Sequence, residues 1–428
     1  MKHDTKPYET EPYETKPHDT DQKRWLDSAT HHFWLTREGL ALFEFHRQAR
    51  LDSGGFAPLN GDGRIPDDAV ADTMLTARMA HSCALAALQG VPGAAALAEH
   101  AIHALEGKLR DKHHGGWFGV DPSTTNDHTK QCYIHHFVAL GAATATHADI
   151  PGAAALLKEA VEVIDTRFWS IDEQAFVESF SQDWSELSDY RGGNSNMHGV
   201  ELCLALADVR DEPLWLDRAL AIVERLIHHH ASPRDYRILE HFHGDWSEWP
   251  EHNADRPEDG FYPYGATPGH GFEWSRLMLH LEAALESRGR AAPSWLFTDA
   301  AALFDASLRD GWATDGAPGL VYTVDWEGRP NSLRRRHWTH AEALAAAAAF
   351  LRRTDQAHYE RWYRRLWDFI DTTFIDRARG GWYQELDGKL QIDTAEGDIK
   401  PDLYHAYQAT LLPRLPLALN LALTVERL

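Results

Sequence analysis

Six times along this chain, a glycine-rich or polar turn followed by an aromatic residue and then an acidic or polar turn interrupts sequence built for helices. The instances are "SGGFAPLNGDG" (53–63), "HGGWFGVD" (114–121), "EQAFVES" (173–179), "YRILEHFHGDW" (236–246), "PGLVYTVDWEG" (318–328) and "GGWYQELDG" (380–388). Most neighbours stand about 60 residues apart, room for two helices and their loops. One interval, beside a histidine-rich stretch, is longer. Between the turns, alanine and leucine recur at spacings of three and four, as in "THAEALAAAAAFLRR" (339–353) and "TMLTARMAHSCALAALQG" (73–90). The second ends on Gly90, with Pro92 just beyond, a stop signal. Six helix pairs predict a closed ring, the (α/α)6 barrel, with β-hairpin-like loops. An open solenoid would need polar capping repeats, and none is evident. A closed ring gathers the inner helix ends and connecting loops around one central pocket.

The barrel is expected to span residues 25–428 as one catalytic domain. Residues 1–24 repeat a Pro-Tyr-Glu-Thr unit without apolar periodicity and read as a flexible arm. No apolar run reaches membrane-spanning length, and the N-terminus lacks a signal core. Three scattered cysteines, Cys83, Cys132 and Cys203, fit a reducing cytoplasm better than a disulfide scaffold. The formal charge is −23. That excess repels nucleic acid and anionic membranes, so neither is an expected partner. The 16 tryptophans are more informative. A sugar ring, apolar on one face and rimmed with hydroxyls, suits an indole wall, although a large helical core also uses tryptophan as filler.

The stretch "YGATPGHGFEWSRLMLH" (264–280) breaks at Pro268-Gly269 and continues as an apolar helix. His270 stands at that helix start. Glu273, one turn on, shares its face and can accept its ring N–H, fixing a tautomer useful for acid/base work. A capping histidine beside a surface glutamate is the plainer alternative. "RGGNSNMHGVELCLAL" (191–206) repeats the spacing with His198 and Glu201, roughly one repeat away, so both histidines could face one pocket. Asn194 and Asn196, in the same first turn, can bind hydroxyls. In "DIKPDLYHAYQATLLPRL" (398–415), Pro401 predicts a helix start with Tyr404, His405 and Gln408 in its early turns. Arg78 is a cation in an otherwise apolar helix and needs a carboxylate or a substrate oxygen.

The histidine clusters at 31–32, 113–114, 135–136, 228–230 and 241–243 lack the spacings that argue for zinc. Di-iron bundles use Glu-x-x-His, the reverse of the pairs here. No nucleotide-binding glycine motif is present.

These segments, with "TARMAH", "LRDKHHGGWFGVD", "KQCYIHHFVALGAA", "HWTHAEALAAA" and "DLYHAYQA", resemble the N-acylglucosamine 2-epimerase superfamily over nearly the whole chain from Trp25. The resemblance implies an (α/α)6 barrel and is nearest the aldose–ketose isomerase branch. Sulfoquinovose-converting members carry arginines just before the "GATPGH" motif. Here Gly260 and Tyr262 stand in that stretch, and nothing cationic lies between Arg256 and His270. A neutral hexose, with D-mannose and D-fructose as the expected pair, therefore fits better than a sulfonated one. The resemblance implies His405 and His270 as the acid/base pair and His198 in binding or opening the ring. It implies Glu273 as the orienter of His270 and Arg78 as the holder of a substrate oxygen. Tyr133, Asn194, Trp338 and Gln384 would line the pocket.

The chemistry implied is ring opening and a cis-enediolate carrying a proton between C2 and C1, its charge held by Arg78 and a protonated histidine. No metal and no cofactor are expected, and a monomer and a homo-oligomer are both open. A 2-epimerase would share the intermediate and return the proton to the other face of C2. Glycoside hydrolases use the same barrel but need two carboxylates flanking a bond. A sugar-binding protein without catalysis is the remaining alternative.

Overall fold

The computed structural model describes residues 23–394 and 398–428, so all but the end of the predicted N-terminal arm lies outside the described residues. The alanine- and leucine-rich segments form helices as their periodicity predicts. In chain order these are α1 (Ala29–His46), α2 (Thr73–Leu88), α3 (Ala94–Glu106), α4 (Cys132–His147), α5 (Ala153–Val163) and α6 (Gly193–Arg210). They continue as α7 (Leu214–Val223), α8 (Pro268–Ser287), α9 (Ser294–Gly311), α10 (His337–Thr354), α11 (Ala357–Thr373) and α12 (Tyr404–Leu411). The even-numbered helices form a ring. α2 packs on α4, α4 on α6, α6 on α8, α8 on α10 and α10 on α12, and α12 returns to α2. Each carries one outer helix: α3, α5, α7, α9 and α11 cover α2 to α10 in turn, and α1 covers α12. This is the (α/α)6 barrel.

Burial explains which helix goes where. An inner helix is covered on all sides, so α10 is apolar nearly all round and buries Ala341 through Leu351. An outer helix has one wet face. α11 buries Tyr359, Tyr363, Leu366, Trp367 and Ile370 while Arg365 and Asp368 face solvent. Each such large side chain contributes about 2 kcal/mol of burial.

The recurring glycine–aromatic turns are joints. In five of the six, the apolar residue pairs back onto the end of the preceding outer helix: Phe56 with Arg50, Trp117 with Arg110, Phe176 with Trp169, Leu320 with Trp312 and Trp382 with Ile375. In four of these, its N–H is then caught by the fourth residue of the next inner helix. Thr76 Oγ1 accepts from Phe56 at 3.0 Å, His135 Nε2 from Trp117 at 3.1 Å, Asn196 Oδ1 from Phe176 at 2.9 Å and His340 Nε2 from Leu320 at 2.8 Å. Asn196, expected as a hydroxyl binder, is thus a buried structural acceptor. Its amide nitrogen is spent on the carbonyls of Phe176 and Gly192.

Short antiparallel pairs lead into the inner helices: Lys130–Gln131 with Ser179–Phe180, Tyr190–Gly192 with His241–His243, Arg335–Arg336 with Glu385–Leu386, and Leu59–Asn60 with Ile399–Lys400. Inner helix N-termini therefore converge on one mouth. The longer repeat interval holds the strand His241–His243 and a loop at 244–267, from which Gly260 and Phe261 line the central cavity. Among the described residues, no helix is long and apolar enough to cross a membrane.

Candidate active site

Inside the mouth lies a cavity of about 270 Å³. Arg78, Tyr133, Asn194, His198, His270, Glu273, Trp338, Gln384 and His405 all line it. Their convergence follows from register. The sixth residue of α2, α4, α6, α8 and α10 is Arg78, Phe137, His198, Glu273 and Glu342 respectively. Repeats of equal register turn the same helical position toward the barrel axis; Arg78, His198 and Glu273 line the cavity, and Phe137 and Glu342 meet the lining residues Arg78 and His405.

His270 and His405 both neighbour the Trp338 indole, with ring centroids 4.9 Å and 5.8 Å from it. Each is tied through Nδ1 to a buried carboxylate. His270 donates to Glu240 Oε1 at 2.6 Å, and His405 to Glu342 Oε1 at 3.1 Å. Both Nε2 atoms are thereby left as the reactive nitrogens.

The first of these bonds corrects the sequence expectation. Glu273 does not orient His270. Pro268 begins α8 and places His270 in its first turn, beside Glu240, which directly precedes the strand His241–His243. Glu273, one turn deeper, points to the axis, 3.9 Å from both His198 Nδ1 and an Arg276 terminal nitrogen, and neither of its oxygens is hydrogen-bonded. Burial pushes its carboxyl well above the ordinary range. Glu342 and Glu201 add to the shift, and Arg276 and Arg78 oppose it. This environment favours the protonated form of Glu273, which would have a hydrogen-bonding proton to offer.

His198 and Glu201 do pair as expected, at 3.0 Å. Burial lowers the His198 ring to about 4 despite Glu201, so it is neutral at physiological pH. Glu201 stays ionised: burial raises it, but the His198 bond, the Arg276 charge and the Tyr404 bond bring it below the ordinary carboxylate range. It also accepts the Tyr404 hydroxyl. The Arg78 guanidinium lies over both the Phe137 and Tyr404 rings, 4.3 Å and 4.8 Å from their centroids, and donates to the Tyr133 hydroxyl at 2.9 Å. Its Nε, Asn194 Oδ1 and Gln384 Oε1 are buried without a protein partner, as expected of groups awaiting substrate oxygens.

Two details differ at α12. The helix begins at Tyr404, not Pro401, and Asp402 accepts the His405 N–H at 3.2 Å. Gln408 points away from the site, into a smaller cavity of about 60 Å³ with His81 and His280.

Sequence reading missed Glu240, Glu342, Arg276, Asp402, Tyr322 and Arg336. Arg276, three residues past Glu273 in an apolar helix, carried the same signal that exposed Arg78. Glu342 was a lone acid among alanines. Glu240 carried no local signal, because its partner is 30 residues away.

Two donor groups in the floor have metal-binding proximity: His198, Glu201 and Glu273, and Glu273, Glu342 and His405, each with ligand atoms within 4.8 Å of one another. The buried Arg276 guanidinium already serves that floor, donating to Glu342 at 2.8 Å. A metal ion there would have to coexist with this cation.

The family model for N-acylglucosamine 2-epimerase matches residues 54–409. The chain belongs to the N-acylglucosamine 2-epimerase family. Its relatives include a D-mannose isomerase from Pseudomonas cannabina pv. alisalensis, 52% identical over 93% of this chain and 96% of that protein. Another, from Thermobifida fusca, is 46% identical over 93% of this chain and 98% of its own length. A crystal structure of D-mannose isomerase superposes with a TM-score of 0.83 at 27% identity, covering 90% of this chain and 98% of that one.

Proposed function

We propose that this protein interconverts D-mannose and D-fructose, with the described barrel as a single catalytic unit and the cytoplasm as its location. The observation that carries the reading is the pair of imidazoles, His270 and His405, both next to Trp338 in one cavity with each Nδ1 held by a carboxylate. Two positioned bases around one aromatic wall suit a reaction made only of proton transfers. The high identity to the D-mannose isomerases over nearly full length supports the choice of sugar.

The pyranose opens when the ring oxygen gains a proton and the anomeric hydroxyl loses one. His270 does this work, with His198, neutral at physiological pH, in the same cavity. His405 Nε2 then takes the C2 proton and returns it at C1. A second proton passes between O1 and O2 through His270. The cis-enediolate between these steps carries negative charge on oxygen. Arg78, held over the Phe137 and Tyr404 rings, and the Glu273 carboxyl, whose protonated form burial favours, meet that charge as hydrogen-bond donors. A carboxyl kept protonated by burial stabilises an enolate without a metal. Asn194, Tyr133 and Gln384 hold the remaining hydroxyls.

Proton NMR of the purified, EDTA-treated protein with D-mannose in heavy water tests this. Fructose carrying deuterium at C1 is the expected product. Glucose in its place would make the protein a 2-epimerase, loss of turnover on chelation would bring a metal into the floor, and an unchanged mannose spectrum would remove mannose as substrate.

A further inference from the structure

The stretch before "GATPGH" holds no arginine, yet the cavity wall is not free of cations beyond Arg78. Arg336, two residues before Trp338, also lines it. Its guanidinium lies 4.1 Å from the centroid of the Tyr322 ring, another lining residue. It is not an open anion site. Arg336 and Glu385 form an ion pair, Nε and Oε2 lying 2.6 Å apart, and the two residues are register partners across the short strand pair. The other Glu385 oxygen is held by Arg334 at 2.9 Å. Both Arg336 and Glu385 are buried. Gln384, adjacent to Glu385, turns into the same wall with its buried Oε1 unpartnered.

This arrangement has a chemical meaning for a hexose. If C1 and C2 lie between His270 and His405, carbons 3 to 6 must extend along another part of the wall. Met74, Leu75, Met79 and Pro58 offer no hydrogen bonds there, whereas Arg336 and Gln384 do. A guanidinium whose charge is matched by a buried carboxylate still donates to a neutral hydroxyl. It gives little net attraction to a phosphate or sulfonate, and Glu385 beside it repels one.

Resting on the isomerase reading above, we infer that Arg336 is a specificity residue that binds a hydroxyl at the far end of the sugar, and that Glu385 sets the site against hexoses carrying an anionic group at C6. The pairing, rather than the absence of arginine, makes this cavity a neutral-hexose site.

The test compares mannose with mannose 6-phosphate in the full chain. The wild type isomerises mannose and neither turns over nor is inhibited by the phosphorylated sugar at equal concentration. Glu385→Gln removes the opposing charge while keeping an acceptor for Arg336. It raises the preference for mannose 6-phosphate, read as kcat/KM or as inhibition of mannose turnover, by about tenfold or more. Adding Arg336→Met abolishes that gain. Arg336→Met alone, which leaves Glu385 paired with Arg334, raises KM for mannose more than it lowers kcat, and it decides the matter if Glu385→Gln does not fold. Mannose turnover with unchanged selectivity in Glu385→Gln, or unchanged mannose kinetics in Arg336→Met, overturns the inference alone. A wild type inert toward mannose overturns the isomerase reading and this inference with it.

Discussion

His270 depends on Glu240, a carboxylate reached from another element rather than from its own helix. Replacing Glu240 by Gln keeps the shape but offers Nδ1 either an oxygen or an amide nitrogen, so the ring no longer has one enforced tautomer. The expected loss in kcat is about 100-fold, with the pH–rate profile displaced, while KM for mannose changes little. A uniform loss with an unmoved profile would indicate that Glu240 only supports the fold. Glu273 gives the opposite expectation. Because burial favours its neutral form, Gln can replace its O–H donor with N–H, and Glu273→Gln is expected to retain turnover within about tenfold. Glu273→Ala loses substantially more, and a Gln variant as poor as Ala would mean that the ionised carboxylate is needed. The sequence made His198, His270 and His405 legible because a helix start after Gly or Pro is a local signal. It could not show that Glu273 turns to the axis, since i+3 spacing permits a contact without requiring one.

Four of the six inner helices repeat one piece of carpentry, and that limits what their histidines can mean. His135 and His340 occupy the fourth position, where α2 uses Thr76 and α6 uses Asn196, and all four accept a backbone N–H from the preceding turn. Seen alone, a histidine in "YIHHF" or "HWTHAE" reads as a ligand or base; seen in register, it is an acceptor. The period of the turns made the six helix pairs legible, but equivalence of position emerges only when the helix starts are fixed to the residue. Burial lowers the His135 and His340 rings to about 3, against 6.5 for a free imidazole. Between those values the unfolded chain binds more protons than the folded one, so stability falls as pH drops below about 6.5 and is lost progressively toward 3. Each ring accounts for about 2 kcal/mol of that loss by pH 5. His340→Asn borrows the acceptor that α6 already uses. Whatever it costs at pH 7.5, its further loss between pH 7.5 and pH 5 should be about 2 kcal/mol smaller than that of the wild type, measured by urea unfolding. Equal losses would mean that His340 does not resist protonation in the folded state.

A ring must close, and the seam is where a barrel differs from an open stack of repeats. The strand Leu59–Asn60 pairs with Ile399–Lys400, joining the first repeat to the last, and α12 follows with His405. The seam uses a device found at three other joints. A cation on the strand entering an inner helix meets an acid in the preceding turn: Lys130 with Asp111 at 2.8 Å, Arg191 with Glu173 at 2.7 Å, Arg335 with Asp315 at 2.6 Å and Lys400 with Asp376 at 2.7 Å. Lys400 and Asp376 are each 1% exposed at the side chain, so breaking the pair leaves a charge in a dry place. The two halves are not equally dependent. Without Lys400, Asp376 keeps Arg379 at 2.8 Å and the N–H groups of Ala378 and Arg379. Without the Asp376 charge, Lys400 keeps, among the described residues, the Gly380 carbonyl at 2.7 Å and the Phe45 and Tyr383 rings 5.2 Å and 5.1 Å away, but no bonded carboxylate. Asp376→Asn should therefore cost more, about 3 kcal/mol, than Lys400→Met, and the double variant should recover part of the loss because no charge is left alone. Urea midpoints at constant slope measure this. If Lys400→Met proved the costlier change, the Asp376–Arg379 pair would not hold in solution, and the seam would be kept by its strand pairing and the packing of α12 on α2.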